Sequence, residues 1–197
     1  MARGVRFSNG PFLDVHQAPE EGRALLGLAG KIGDAEALAG RQGWRARAEY
    51  PPEKPDASPW SLLSFRRDQG ILSVMFVIDY ATEPQAWASP IFNGGLYDRP
   101  AGQGAALRRV WLTAADPDEA GKALQALGFV RGGEALSPVA PHAGWIYRGE
   151  AADIVVASGE DAVVRFDVEG DGPPQAIRLG AQLTAVVGRE RPESLEG

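Results

Sequence analysis

Asp14 and His16 are separated by one residue in an alternating stretch, and they are the first pair in the chain whose side chains could do chemistry together. In a β-strand the two side chains would share a face. A carboxylate can orient an imidazole for proton transfer, and both groups can ligate a metal ion, for which Asp79 would be a third ligand. The alternative is a solvent-facing strand edge with an incidental hydrogen bond. The second histidine, His142, follows a proline and is expected to be structural or exposed.

A second candidate is the strand-like run 107–115, in which Arg109, Trp111 and Thr113 alternate with apolar residues. The apolar set is expected to lie under a helix: Val110, Leu112 and Ala114. The polar set takes the opposite face, and in a cleft an arginine beside a tryptophan could hold a carboxylate or an aromatic ring of a ligand. The alternative is an arginine whose charged end reaches solvent.

Asp79 and Tyr80 end the apolar run 71–80, which predicts a central strand. The two residues are candidate ligand contacts, and Asp79 could also partner Arg109 across the fold. Such an ion pair could equally be structural.

The stretch 82–103 joins two halves of the chain and is rich in Gly, Pro, Ala and aromatic residues. Its Trp87, Asn93 and Tyr97 lie around Gly94 and Gly95. Aromatic rings that flank glycines are typical of a lid, because glycine allows motion while the rings supply burial. The alternative is that the rings anchor the connection to the core.

Several site classes have no support in the composition or motifs. The 197-residue chain has no cysteine, so disulfides, thiolate nucleophiles and Cys-ligated metals are excluded. No phosphate loop, dinucleotide fingerprint or Gly-x-Ser-x-Gly occurs, so no nucleotide cofactor or hydrolase triad is expected. The net charge is −6 with scattered basic residues, which argues against nucleic acid as a partner. No apolar run approaches a membrane span, and a cytoplasmic location is expected.

The elements that position these residues form a weak internal repeat. Each copy predicts a strand, an aspartate, a helix, a glycine and an aromatic residue, first over 23–44 and then over 107–129. In the second copy Asp116 is an N-cap, Pro117 suits the first helical position, and Gly128 can end the helix. In the first copy Asp34 takes the place of Asp116. That helix is expected to be shorter by about one turn and weaker.

The chain divides accordingly into five segments. We expect an N-terminal strand pair over 1–20, a first βαβββ module over 21–81, the linker or lid over 82–105, a second module with extra strands over 106–188, and a charged tail over 189–197. A last strand is predicted near 176–187. The fold class is α+β, and a homodimer is compatible with the strand edges that such sheets leave.

The strand–Asp–helix–Gly–aromatic order, followed by three strands and repeated, resembles the vicinal-oxygen-chelate superfamily, and within it the glyoxalase-like domain proteins (the glyoxalase, bleomycin resistance and dioxygenase type). The stretches 107–120, 73–80 and 9–16 carry the resemblance. It implies paired modules whose curved mixed sheets form a half-open barrel, with the helices outside. It also implies a divalent metal held by His and Glu or Gln on the first and last strands, which polarises a substrate oxygen.

The sequence departs from that family at the metal ligands. The first-strand ligand positions fall on Gly27, which has no side chain, and on Arg109, which repels a cation. Acidic closing-strand positions match Asp14 and Asp79. These departures favour a small-molecule-binding protein with an aromatic, Arg-bearing pocket and no cofactor. The alternatives are a metal-dependent lyase, isomerase or dioxygenase that uses Asp14, His16 and Asp79, and a non-catalytic structural or interaction protein whose pocket is filled.

Overall fold

The computed structural model describes residues 2–6, 12–16, 23–50, 60–80, 106–136, 143–169, 175–178 and 183–188. Of these, residues 2–6, 12–16, 23, 60 and 80 are described by their backbone alone. The described residues form two sheets and two α-helices. No helix among them is long and apolar enough to cross a membrane.

The first sheet has six described strands in the order β1-β2-β3-β6-β5-β4. Its strands are β1 (Ala2–Arg6), β2 (Phe12–His16), β3 (Arg23–Ala29), β4 (Ala46–Glu49), β5 (Trp60–Phe65) and β6 (Met75–Tyr80). Helix α1 (Ile32–Gln42) connects β3 to β4, and β3 pairs in parallel with β6. The predicted N-terminal strand pair is confirmed, since β1 and β2 are antiparallel and β2 adds to the edge of β3.

The second sheet has seven described strands in the order β12-β13-β11-β7-β10-β9-β8. Its strands are β7 (Leu107–Ala114), β8 (Val130–Leu136), β9 (Ala143–Arg148), β10 (Asp153–Ser158), β11 (Ala162–Val168), β12 (Gln175–Arg178) and β13 (Thr184–Val187). Helix α2 (Pro117–Ala126) follows β7, which pairs in parallel with β10. The two modules therefore repeat one topology, with an added antiparallel strand on each first strand: β2 on β3, and β11 on β7.

Helix α2 begins as the sequence predicts. The side chain of Asp116 accepts hydrogen bonds from the backbone N–H groups of Asp118 and Glu119, at 3.1 and 3.0 Å. These bonds satisfy amides that have no partner within the helix. The chain leaves the helix through Gly128 at φ 98°, a conformation that glycine adopts without steric cost.

Helix α1 begins earlier than the sequence predicts. It starts at Ile32 rather than after Asp34, and its 11 residues exceed the 10 of α2, so the expectation of a shorter first helix is wrong. Its N-cap residue, Lys31, makes no side-chain capping bond. The backbone N–H of Ile32 instead donates to Oδ2 of Asp79 at 3.3 Å. A carboxylate from strand β6 thus replaces the local cap.

Two predicted strands have different forms. The apolar run 71–80 is a 3₁₀ helix over Gly70–Val74 followed by β6. Ile71, Leu72 and Val74 of the 3₁₀ helix are buried. An unbroken apolar run has no period that would distinguish these two structures. The run 176–187 is not one strand but the antiparallel pair β12 and β13.

One core joins the two modules. Leu26 of β3 and Met75 of β6 belong to the same buried cluster as Val110 and Leu112 of β7 and Leu124 of α2. Each such side chain contributes about 1.5–3 kcal/mol when it is fully buried. The shared core positions the start of β7 beside the first sheet.

Candidate functional site

A cavity of about 420 Å³ lies at the amino-terminal end of β7. Parallel pairing brings the start of β10 to that edge of the sheet, and antiparallel pairing brings the end of β11 there. In the register Arg109 is the partner of Asp153 on one side and of Asp167 on the other. The charged residues that line the cavity are Arg108, Arg109, Asp153, Asp167 and Glu169.

Arg109 is the residue of this set with a buried polar atom that has no hydrogen-bond partner among the described residues. Its Nε is buried and has no hydrogen-bond partner in the described chain, although the whole side chain is 25% exposed. Its nearest charged neighbour is Asp153, whose Oδ2 lies 3.9 Å from an Nη of Arg109, beyond hydrogen-bonding distance. A buried donor without a partner costs about 1–3 kcal/mol.

Asp167 has both carboxylate oxygens occupied. Its Oδ1 accepts from Nε of Arg165 at 2.5 Å, and its Oδ2 accepts from Nε1 of Trp111 at 2.9 Å. All three residues are buried, with exposed fractions of 7% for Asp167, 5% for Arg165 and 3% for Trp111. The Arg165 guanidinium also lies over the Trp111 ring, 5.3 Å from its centre. The network neutralises the charge of Asp167 beneath the cavity.

At the rim of the cavity, Arg108 donates to Oε1 of Glu169 from two nitrogens, at 3.0 and 2.6 Å. Both side chains are exposed. This pair closes one side of the opening and compensates the charge of Glu169.

The alternation predicted for β7 is confirmed. Val110, Leu112 and Ala114 lie in the core with α2, while Trp111 packs in a separate cluster with Val155 and Ala135. Trp111 and Thr113 are both buried, and neither lines the cavity. The Thr113 hydroxyl donates to the backbone carbonyl of Glu160 at 2.5 Å.

Asp79 lies at the start of α1. Its carboxylate accepts from Nζ of Lys31 at 3.1 Å as well as from the amide of Ile32. It is therefore not the ionic partner of Arg109. Tyr80, at the end of the same strand, is the backbone partner of Trp60.

Of the other predicted site residues, two are described by their backbone alone, and the rest lie outside the described residues. Asp14 pairs with Leu25 and His16 pairs with Arg23 in the backbone register of β2 and β3. The predicted site residues of the linker and the second histidine lie outside the described residues: Trp87, Asn93, Tyr97 and His142.

The donor set does not suit the metal of the resembled family. Gly27 supplies no ligand atom, and Arg109 brings a cation to the second position. Among the residues whose side chains are described, no group of three His, Asp or Glu could hold a metal ion. An ion bound by Asp14 and His16 would have to compete with the helix cap for Asp79.

Sequence reasoning missed Asp153, Arg165 and Asp167. Arg165 and Asp167 occupy alternate positions in the otherwise apolar strand β11, which is a signal for a polar pair on one face. Their partner, Trp111, depends on how β11 aligns with β7, and no local pattern encodes that register.

Two further recesses are lined by none of these five charged residues. An apolar groove of about 750 Å³ runs between β3 and the strands β7 and β10. A smaller one of about 300 Å³ lies between Trp44 and α2. Near α2, burial raises the pKa of Tyr147 above its usual value.

Comparisons with known proteins place the fold. No protein-family model matches the sequence, and no curated protein does. A hypothetical protein from Staphylococcus aureus is similar in structure, with a TM-score of 0.59 and 9% identity over 83% of this chain and 64% of that one. This chain thus spans less than two thirds of that protein's length.

A variant of homoprotocatechuate 2,3-dioxygenase from Brevibacterium fuscum is also similar, with a TM-score of 0.52 and 11% identity over 94% of this chain and 69% of that one. At such identities the likeness shows the fold alone. The structure is an α+β fold with curved mixed sheets that are not closed, as the sequence predicts, and it resembles the fold of this dioxygenase.

Proposed function

We propose that this chain is a glyoxalase-like protein of the vicinal-oxygen-chelate type that binds a small organic anion at Arg109. The buried Nε of Arg109, which has no partner beside a cavity of about 420 Å³, is the observation that carries the proposal. A cavity of this size is within the range of small-molecule sites.

The chemistry of the side chain favours an anion. A guanidinium presents its donors in a planar fork, and a carboxylate can accept from two of them at once. Arg109 is the arginine at the cavity whose charge is not matched by a hydrogen-bonded carboxylate, since Arg108 bonds Glu169 and Asp153 stays 3.9 Å away.

Trp111 has a supporting role in this proposal. Its indole holds Oδ2 of Asp167, while Arg165 holds Oδ1. With both oxygens occupied, Asp167 is not free to turn towards Arg109 and neutralise it. The buried network therefore keeps the Arg109 guanidinium available to a ligand.

We further propose that the family's metal site is absent. Gly27 and Arg109 stand where the resemblance places metal ligands, and a guanidinium in that position repels a divalent cation. The binding energy for an anionic ligand would then come from Arg109 instead of a metal. Calorimetric titration of small carboxylates into the wild-type protein and the Arg109→Gln variant tests the proposal.

A further inference from the structure

The charges at the cavity divide into hydrogen-bonded groups and one longer ion pair, Arg109 with Asp153. Glu169 bonds Arg108, and Asp167 bonds Arg165 and Trp111. These contacts lie within hydrogen-bonding distance, so the two carboxylates and the two guanidinium groups compensate one another. Arg109 and Asp153 are left as the cation and the anion without such a bond.

Asp153 has open lone pairs at the cavity. Its side chain is 32% exposed, and its contact with Arg109 is 3.9 Å long. From the described residues its carboxylate accepts no hydrogen bond, so a donor from a ligand would meet no competitor. Because Asp153 and Arg109 are register partners on adjacent parallel strands, a ligand at one of them lies beside the other.

We propose, building on the function above, that the ligand is a small zwitterion of the amino acid class. Its carboxylate binds the guanidinium of Arg109, and its ammonium group binds Asp153. Carboxylate and ammonium groups on one carbon are close enough together to reach two neighbouring side chains.

Charge complementarity excludes the simpler ligands. A dicarboxylate would bring its second charge towards Asp153, Asp167 and Glu169. A simple amine would leave Arg109 without an acceptor and would be repelled by it. A zwitterion matches a cation and an anion that face each other at 3.9 Å without a hydrogen bond, and it adds no net charge to a cavity whose other charges are compensated.

The test uses the full chain and matched ligands. The standard amino acids are screened by calorimetry or by ligand-observed NMR. Each one that binds is then compared with its decarboxylated amine and its deaminated acid. We expect both derivatives to bind about tenfold or more weakly, because a charged hydrogen bond is lost in each.

Two variants separate this inference from the proposed function. Asp153→Asn is expected to weaken the zwitterion about tenfold or more and to leave the deaminated acid unchanged or improved. Arg109→Gln is expected to weaken both. If the acid binds as tightly as the zwitterion and Asp153→Asn changes neither, the zwitterion class is wrong while an anion site stands.

If no carboxylate binds, or if Arg109→Gln has no effect on binding, both proposals fail together. Should Asp153→Asn not fold, as judged by circular dichroism, the three-ligand comparison on the wild-type chain decides the matter alone.

Discussion

The indole Nε1 of Trp111 donates to Oδ2 of Asp167 over 2.9 Å, and the pair is buried in the centre of the second sheet. Asp167 in turn holds the buried guanidinium of Arg165. Because Trp111 sits two residues after Arg109 on the same strand, the network lies beside the proposed anion site.

This network predicts a large stability loss for Asp167→Asn. The change keeps the shape of the side chain but leaves the buried Arg165 guanidinium without this carboxylate, and breaking a buried ion pair costs about 3–5 kcal/mol. Urea unfolding followed by tryptophan fluorescence measures the loss. The rim residue Glu169 supplies the control, since Glu169→Gln removes an exposed pair and should cost less than about 1 kcal/mol. Equal losses in the two variants would contradict the account.

Gly121 of α2 lies against the ring of Tyr147. A Cβ added at Gly121 would stand 2.0 Å from the Tyr147 hydroxyl oxygen and 2.9 Å from Cζ. Gly121→Ala is therefore expected to destabilise the protein by about 1–3 kcal/mol, although alanine is the better helix former.

The first helix offers the matched control for this substitution. A Cβ added at Gly40 of α1 would meet nothing within 4 Å. Gly40→Ala should therefore stabilise the chain by up to about 1 kcal/mol. Thermal unfolding of both variants compares them, and Tyr147→Phe should relieve part of the clash. A Gly121→Ala variant as stable as Gly40→Ala would show that the helix and strand β9 pack differently.

The cap on α1 is expected to depend on Asp79 and little on Lys31. Asp79→Ala removes the acceptor for the Ile32 amide and should cost about 0.5–2 kcal/mol, the range for a lost N-cap. Lys31 is largely exposed, so Lys31→Ala should cost less than about 1 kcal/mol. Hydrogen exchange at the first turn of α1 should speed up in the first variant only. Unchanged exchange in Asp79→Ala would rule out the cap.

How well the sequence predicts the start of a helix depends on where the residue that caps it lies in the chain. Helix α2 is predicted because its cap, Asp116, stands next to it in the chain. Helix α1 begins two residues before Asp34 because its cap is Asp79, which follows 47 residues after Ile32. Local patterns carry no information on a contact of that kind.

The same distinction applies to the site. Alternation along β7 identifies Arg109 as a candidate and separates it from the core residues. It does not reveal that Trp111 is covered and bonded to Asp167, or that Asp153 is the neighbour of Arg109, because both facts depend on the register of β10 and β11 against β7.

Metal content tests the proposal that the family's metal site is absent. Protein purified without chelator and without a metal-binding tag should contain far less than one equivalent of Mn, Fe, Ni or Zn, and added metal should not raise its melting temperature. The reason is that Gly27 and Arg109 supply no ligands. A near-stoichiometric metal would overturn this proposal and direct attention to Asp14, His16 and Asp79.

The most direct measurement is calorimetric titration of small carboxylic acids, each beside its methyl ester, into wild-type, Arg109→Gln, Arg109→Lys and Arg67→Gln proteins. Arg67 is exposed in the turn after β5 and serves as the control. We predict that at least one acid binds while its ester does not, and that Arg109→Gln lowers its affinity about tenfold or more. Arg109→Lys should recover only part of it, because lysine lacks the planar fork. An acid that binds wild type and Arg109→Gln equally, or no binding of any acid, would contradict the account.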